Sequence, residues 1–223
     1  MKKIWILGLI MMIGTNLSSQ EIFNSMGDSP KYDVKASFKS GDLESFILKE
    51  LLQNKMPPNG PPKGYVLISF TIAKDGSLTD IDPIDFPNKE VGLNSVMALQ
   101  ATDGMWNPTI YKNNPIDYQY FIAYNYSVNI DSGPPEYFDK ANKLYGKNDF
   151  KKALKYYNKA IKINKYFADP YLKRSLAKKA LGDMKGADED QLRYEKLNTQ
   201  FVGNINSVML GITRTMITRQ VAY

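Results

Sequence analysis

The chain has 223 residues, 43% apolar and 23% charged, with a formal net charge of +6, a composition able to pack one or two domains. It contains neither Cys nor His, which excludes disulfides, thiolate or imidazole catalysis and the usual zinc ligand sets. The charge is uneven: residues 21–133 carry 9 Lys and Arg against 14 Asp and Glu, and residues 134–223 carry 18 against 9. Halves of opposite sign point to two domains. The lysines of the basic half are spread around helices, so a solvated face is expected and nucleic acid is not expected as a partner.

The chain opens on "MKKIWILGLIMMIGTNLSSQ". Lys2 and Lys3 form a positive n-region, Ile4 to Ile13 an apolar h-region, and Leu17 to Gln20 offer a cleavage site. Ten apolar residues in a helix reach about 15 Å, half of a hydrocarbon core of about 30 Å. Residues 1–20 therefore read as a signal peptide, and the mature protein is expected in the periplasm or outside the cell. An uncleaved membrane anchor is the alternative.

After an N-terminal segment at 21–35, Asp42 stands where an N-cap belongs, with Leu43, Phe46, Ile47 and Leu51 at helical spacing behind it. The helix must stop at "MPPNGPP", where proline removes donors and restricts the preceding residues. Val66, Ile68, Phe70 and Ile72 then alternate with Tyr65, Leu67, Ser69 and Thr71, the period of a strand. Asp75-Gly76 supplies a turn needing positive φ, and Leu78 to Ile84 return as the second strand. Asn88 caps a second expected helix carrying Val91, Ser95, Ala98 and Leu99. Trp106 follows as an edge seal for the core, and Pro108 bars helix there. The last strand, Asp117 to Asn129, puts Tyr118, Tyr120, Ile122, Tyr124, Tyr126 and Val128 on one face. Such a long apolar face needs a cover of helices or of a partner.

"F-x-x-G-x-L-x-x-F" at Phe38 to Phe46, "P-P-x-G-x-P-x-G-Y-V" at Pro57 to Val66, "F-T-I-A-K-D-G-S-L-T-D-I", "W-N-P" and the Tyr-rich closing strand together resemble the TonB C-terminal-like domain, over residues 36–130. The resemblance implies a small α+β fold, a three-stranded antiparallel sheet backed by helices. In that family the domain ends an energy transducer and pairs an edge strand with a peptide of an outer-membrane transporter, a use of β-augmentation. Here Tyr118, Tyr120, Ile122, Tyr124 and Tyr126 are the edge-strand candidates.

A linker at 131–136, containing "DSGPPE", leads to a repeat. "YFDKANKLYGKNDFKKALKYYNKAIKIN" and "YLKRSLAKKALGDMKGADEDQLRYEKLN" align at an offset of 34, matching Tyr137 with Tyr171, Asp149 with Asp183 and Ala153 with Ala187. That period with helix–turn–helix texture resembles tetratricopeptide repeats, over residues 137–199. The resemblance implies an all-α pair of helical hairpins that holds peptides on the face of its first helices, through Phe138, Asn142 and Tyr145 and through Leu172, Leu176 and Lys179. Ile205, Val208, Met209 and Ile212 recur at i, i+3, i+4 and i+7, so residues 200–223 read as a capping helix and tail. Lying on a membrane is that helix's alternative use.

Asp75, Asp80, Asp82 and Asp85 lack the Gly and terminal Glu of a helix–loop–helix calcium site. No metal, cofactor or catalytic residue is expected. The reading is an exported, non-catalytic adaptor that binds peptide segments of envelope or outer-membrane proteins. Because the stretch before Phe38 is not Pro-rich, a transducer acting on an outer-membrane transporter stands as the alternative.

Overall fold

The structure is a computed structural model and describes residues 31–53, 64–126 and 134–206. The expected leader at 1–20, the "MPPNGPP" stop, residues 127–133 of the closing strand and linker, and the tail after Asn206 lie outside the described residues. The fold is mixed α+β, with six helices among the described residues.

Local signals set the first half. The Asp42 carboxylate accepts from Ser45 N at 2.8 Å and starts α1 (Leu43–Gln53), which buries Ile47 and Leu51. β2 (Tyr65–Ile72) and β3 (Leu78–Asp85) form the hairpin, after a short β1 (Ser37–Phe38). Its loop is closed by Ala73 N to Ser77 O at 2.9 Å, and only Gly76, at φ +86°, is left-handed. The turn is thus three residues wide with glycine last, not a two-residue turn. A Cβ on Gly76 would collide with the Trp106 carbonyl, so glycine is required there for space as well as for φ. Asn88 Oδ1 accepts from Val91 N at 3.0 Å and begins α2 (Lys89–Gln100). Trp106, 1% exposed, lies in β4 (Trp106–Asn107), paired with β1, and its indole donates to Thr102 Oγ1. A small hairpin of β5 (Thr109–Tyr111) and β6 (Asn114–Ile116) precedes β7 (Tyr118–Asn125).

The second half folds as two helical hairpins, α3 (Pro134–Tyr145) with α4 (Phe150–Ile163) and α5 (Ala168–Ala180) with α6 (Met184–Gln200). Each element of the second starts 34 residues after its counterpart, Pro134 to Ala168 and Phe150 to Met184. Asp149 and Asp183, aligned at that offset, both cap: they accept from Lys152 N at 3.2 Å and Gly186 N at 2.9 Å. Ala141, Ala153, Tyr157 and Ala177 form the buried centre of this half.

The sequence reading is overturned at residue 201. Instead of a capping helix, α6 runs directly into a strand, β8 (Phe201–Asn206), which pairs parallel with β7. The main sheet therefore has four strands, in the order β3-β2-β7-β8, where three antiparallel ones were expected. Phe121 pairs with Phe201 but Ile122 pairs with Gly203, so Val202 is an extra residue. That bulge turns the strand over: Phe201 joins Phe121 on one face of the sheet and Ile205 joins Tyr124 on the other.

Both faces of the sheet are consequently covered. Val66, Ile68, Phe70, Ile72, Tyr120, Ile122 and Ile205 pack with Ile47, Val91 and Leu99 of α1 and α2. Behind the sheet, Leu67, Phe121 and Ala123 pack with Tyr166, Tyr171, Leu197 and Phe201 from the helical half. Lys165 reaches Asp85 of β3 at 3.0 Å. Each half has a buried centre of its own, and this second cluster is shared between them.

The N-terminal segment clasps the same junction. Tyr32 donates its hydroxyl to Thr199 O at 3.1 Å, and Lys35 Nζ donates to Asn198 O at 2.8 Å and to Phe201 O at 2.5 Å. These carbonyls end α6 and carry the negative end of its dipole, which a lysine satisfies. Burial holds the Lys35 ammonium below its ordinary pKa.

One shared core predicts one unfolding transition. With Trp5 replaced by Phe, the urea midpoints from Trp106 fluorescence and from helical circular dichroism should coincide. Phe201→Ala should lower both together, at a cost of about 3–5 kcal/mol; separated midpoints would contradict the shared core.

Candidate functional site

Of the two sites expected from sequence, the strand edge is filled. β7 lies between β2, which pairs with it from Tyr118 to Asn125, and β8, which pairs with it from Phe121 to Asn125. Tyr118, Tyr120, Ile122, Tyr124 and Tyr126 are all buried, none more than 8% exposed. Their rings are core. Tyr120 Oη accepts from Ala36 N at 3.1 Å and shares a 2.8 Å hydrogen bond with Thr109, and Tyr126 shares one of 2.7 Å with Ser95. The hydroxyl of Tyr124 has no protein partner among the described residues. Ile122 and Tyr124 thus belong to a stretch already paired on both sides, which is not an edge open to a partner strand. The sheet's outer strands are β3 and β8. β3 carries Pro83 and three aspartates, with Asp80 at φ +49°, features that discourage further pairing.

The other candidate set lies on α3 and α5, the first helices of the hairpins. Phe138 is half-buried between Tyr157 and Phe167, at ring distances of 6.0 and 5.4 Å, and acts as packing. Asn142 accepts from the Tyr157 hydroxyl at 2.9 Å, and Tyr145 sets its ring edgewise against Phe150 at 5.2 Å. Leu172 is half-buried, Leu176 is 36% exposed and Lys179 is exposed. The set divides by hairpin: the three α3 residues are tied into local packing, and on α5 Leu176 and Lys179 face solvent.

Sequence reasoning missed the charged centre of the second hairpin. Asp190 on α6 is fully buried, and Arg174 on α5 grips it with two hydrogen bonds, Nε to Oδ2 at 2.7 Å and Nη2 to Oδ1 at 2.6 Å. Lys178 Nζ lies 2.8 Å from Oδ2 and Arg193 Nη1 3.6 Å from Oδ1. Arg174 also donates to Asn158 of α4 at 2.7 Å, tying the two hairpins together. A carboxylate clamped this way is a structural anchor. The signal was present, because Asp190 recurs with Ala187, Tyr194 and Leu197 at the spacing of an inward helical stripe.

Burial raises the pKa of the core phenols, whereas a hydrogen bond with the Lys140 ammonium lowers that of Tyr156. Tyr126, Tyr157 and Tyr171 are each pushed up to about 12 by desolvation, and Tyr65, Tyr118, Tyr124 and Tyr166 higher still for the same reason. The described residues contain no cluster of three or more carboxylates that could hold a metal ion and no helix long and apolar enough to cross a membrane.

No family model and no solved structure matches the chain. Among curated proteins, an uncharacterized protein of Methanocaldococcus jannaschii is 38% identical over 53 residues. The match takes in 24% of this chain and 62% of that protein, so the chain spans somewhat under two thirds of that relative's length.

Two measurements check the energetics. Arg174→Met should cost about 3 kcal/mol in urea titration by removing both guanidinium hydrogen bonds from the buried Asp190, which keeps Lys178 and Arg193, and a cost under about 0.5 kcal/mol would contradict the anchor. Raised phenol pKa values stabilise the fold fully below pH 10, where both states hold their protons; above it only the unfolded chain releases them. Stability should therefore fall from pH 10 through about 12. After a small early rise from Tyr156, the larger part of the tyrosinate absorbance should appear together with loss of helical circular dichroism, and its full appearance before unfolding would contradict this.

Proposed function

We propose that the protein is an exported, non-catalytic adaptor of a bacterial cell envelope that docks short peptide segments of other envelope proteins on the helical hairpins. The reading joins three supports. The n-region, h-region and small residues of positions 1–20 favour export. The motifs of residues 36–130 and the 34-residue period of 137–199 resemble the TonB C-terminal-like domain and tetratricopeptide repeats, both binding modules. The observation that carries the proposal is the exposure of Leu176 and Lys179 on α5, beside the half-buried Leu172. An apolar contact next to a cation suits an extended segment with an aliphatic side chain and a carboxylate.

The sheet enters this reading as scaffold. With β7 paired on both sides, strand addition would first have to displace β8. The face on α5 is small, so affinity should be modest. The absence of His and Cys from the sequence fits a protein that works by contact.

Affinity capture from envelope extract with the full chain tests this. Leu176→Asp with Lys179→Glu alters only exposed positions and should leave the fold intact. The captured polypeptides should fall by at least about tenfold relative to the unsubstituted chain. An unchanged set at unchanged amounts would remove α5 as the docking face.

A further inference from the structure

Helix α4 sorts its charges by face. Its sequence is FKKALKYYNKAIKI, with five lysines and no acid. At 100° per residue, Lys151, Lys152, Lys155, Lys159 and Lys162 all fall within an arc of about 100°. Ala153, Tyr157 and Ala160, which are buried, occupy the opposite side together with Phe150 and Ile161. All five lysines are exposed. Only Lys152 has a salt-bridge partner among the described residues, Asp149 at 2.8 Å. The lysines that sequence reading scattered around helices are, on α4, one continuous cationic strip about 15 Å long.

At its margin, Tyr156 of α4 stacks on Tyr137 of α3 with ring centroids 6.3 Å apart. Lys140 lies over the Tyr156 ring at 4.7 Å, and Lys159 over both rings at 5.5 and 5.2 Å. The strip thus ends in amphipathic phenols held by cations, the kind of side chain that sits at headgroup depth.

We infer that this lysine face docks the protein on an anionic phospholipid surface. Residues 134–163 contain no arginine. Arginine's fork is the tool for a defined carboxylate or phosphate, whereas lysine is a hydrated point charge suited to a diffuse anionic plane. The strip is the convex outer face of a helix and offers no groove for an extended chain, which a bilayer does not require. Attachment is peripheral, because the apolar side of α4 is already spent on the core. The inference is independent of the docking face on α5.

Vesicle cosedimentation of the full chain tests it, using phosphatidylcholine alone and phosphatidylcholine with about one third phosphatidylglycerol. The readout is the difference between the two, because residues 4–13 contribute apolar affinity to both. The expected result is tighter binding to the anionic vesicles, weakened by salt. Lys151→Gln, Lys155→Gln and Lys162→Gln combined should reduce that difference about 100-fold, roughly fivefold per lysine. Lys49→Gln, Lys74→Gln and Lys89→Gln combined remove the same charge from exposed positions of the first half, and should change it by less than about threefold. Equal losses in the two triples, or no loss in the first, would overturn the inference. So would tight binding of polyglutamate without binding of anionic vesicles, which would assign the strip to an acidic polypeptide.

Discussion

A strand that is apolar on both faces has to be interior, and β7 is such a strand. Tyr118, Tyr120, Ile122 and Tyr124 fill one side of it and Phe121 and Ala123 the other. Leaving either side in water would forfeit on the order of 1.5–3 kcal/mol for each large side chain. The rest of the architecture follows from meeting that demand. α1 and α2 cover one face, the helical hairpins cover the other, β2 takes one edge, and the strand on the second edge comes from beyond α6. The helical half is therefore part of the sheet's packing.

This also explains why the acidic and basic halves coexist in one unit. Lys165 crosses to Asp85 at a site where both side chains are mostly covered, and the Lys165 ammonium also lies over the rings of Tyr65 and Tyr166. Lys35, from the acidic half, ends α6 of the basic half. Opposite net charge in two stretches of sequence proved to be a poor guide to their independence, since a few placed pairs at a seam count for more than the totals.

What was legible in the sequence was what is decided within a turn or two. Asp42, Asn88, Asp149 and Asp183 announce helix starts because the cap bond spans three residues. The β2–β3 hairpin and the 34-residue spacing of α3 and α5 were readable for the same reason. β8 was not. Its bulge at Val202 breaks strand alternation, and Ile205 falls equally well on a helical stripe with Val208 and Met209. The clasp by Tyr32 and Lys35 spans more than 160 residues and leaves no local trace. For the candidate site, Leu176 and Lys179 of α5 are exposed and Leu172 is half-buried. The tyrosines of β7 were assigned to an edge because the sheet was expected to stop at three strands. Asp190, inside a run that reads as surface acid, hid the anchor between α5 and α6.

The order of the chain places the strand that completes the sheet after all six helices of the described residues. During synthesis β7 emerges with an unpaired edge and an uncovered apolar face. Some 75 residues must follow before Phe201 appears, about 4–15 s at roughly 5–20 residues per second. For that interval the nascent chain exposes a template for wrongly paired strands. The yield of this protein therefore depends on how well residues 118–125 are shielded until translation reaches β8, as well as on the stability of the finished fold.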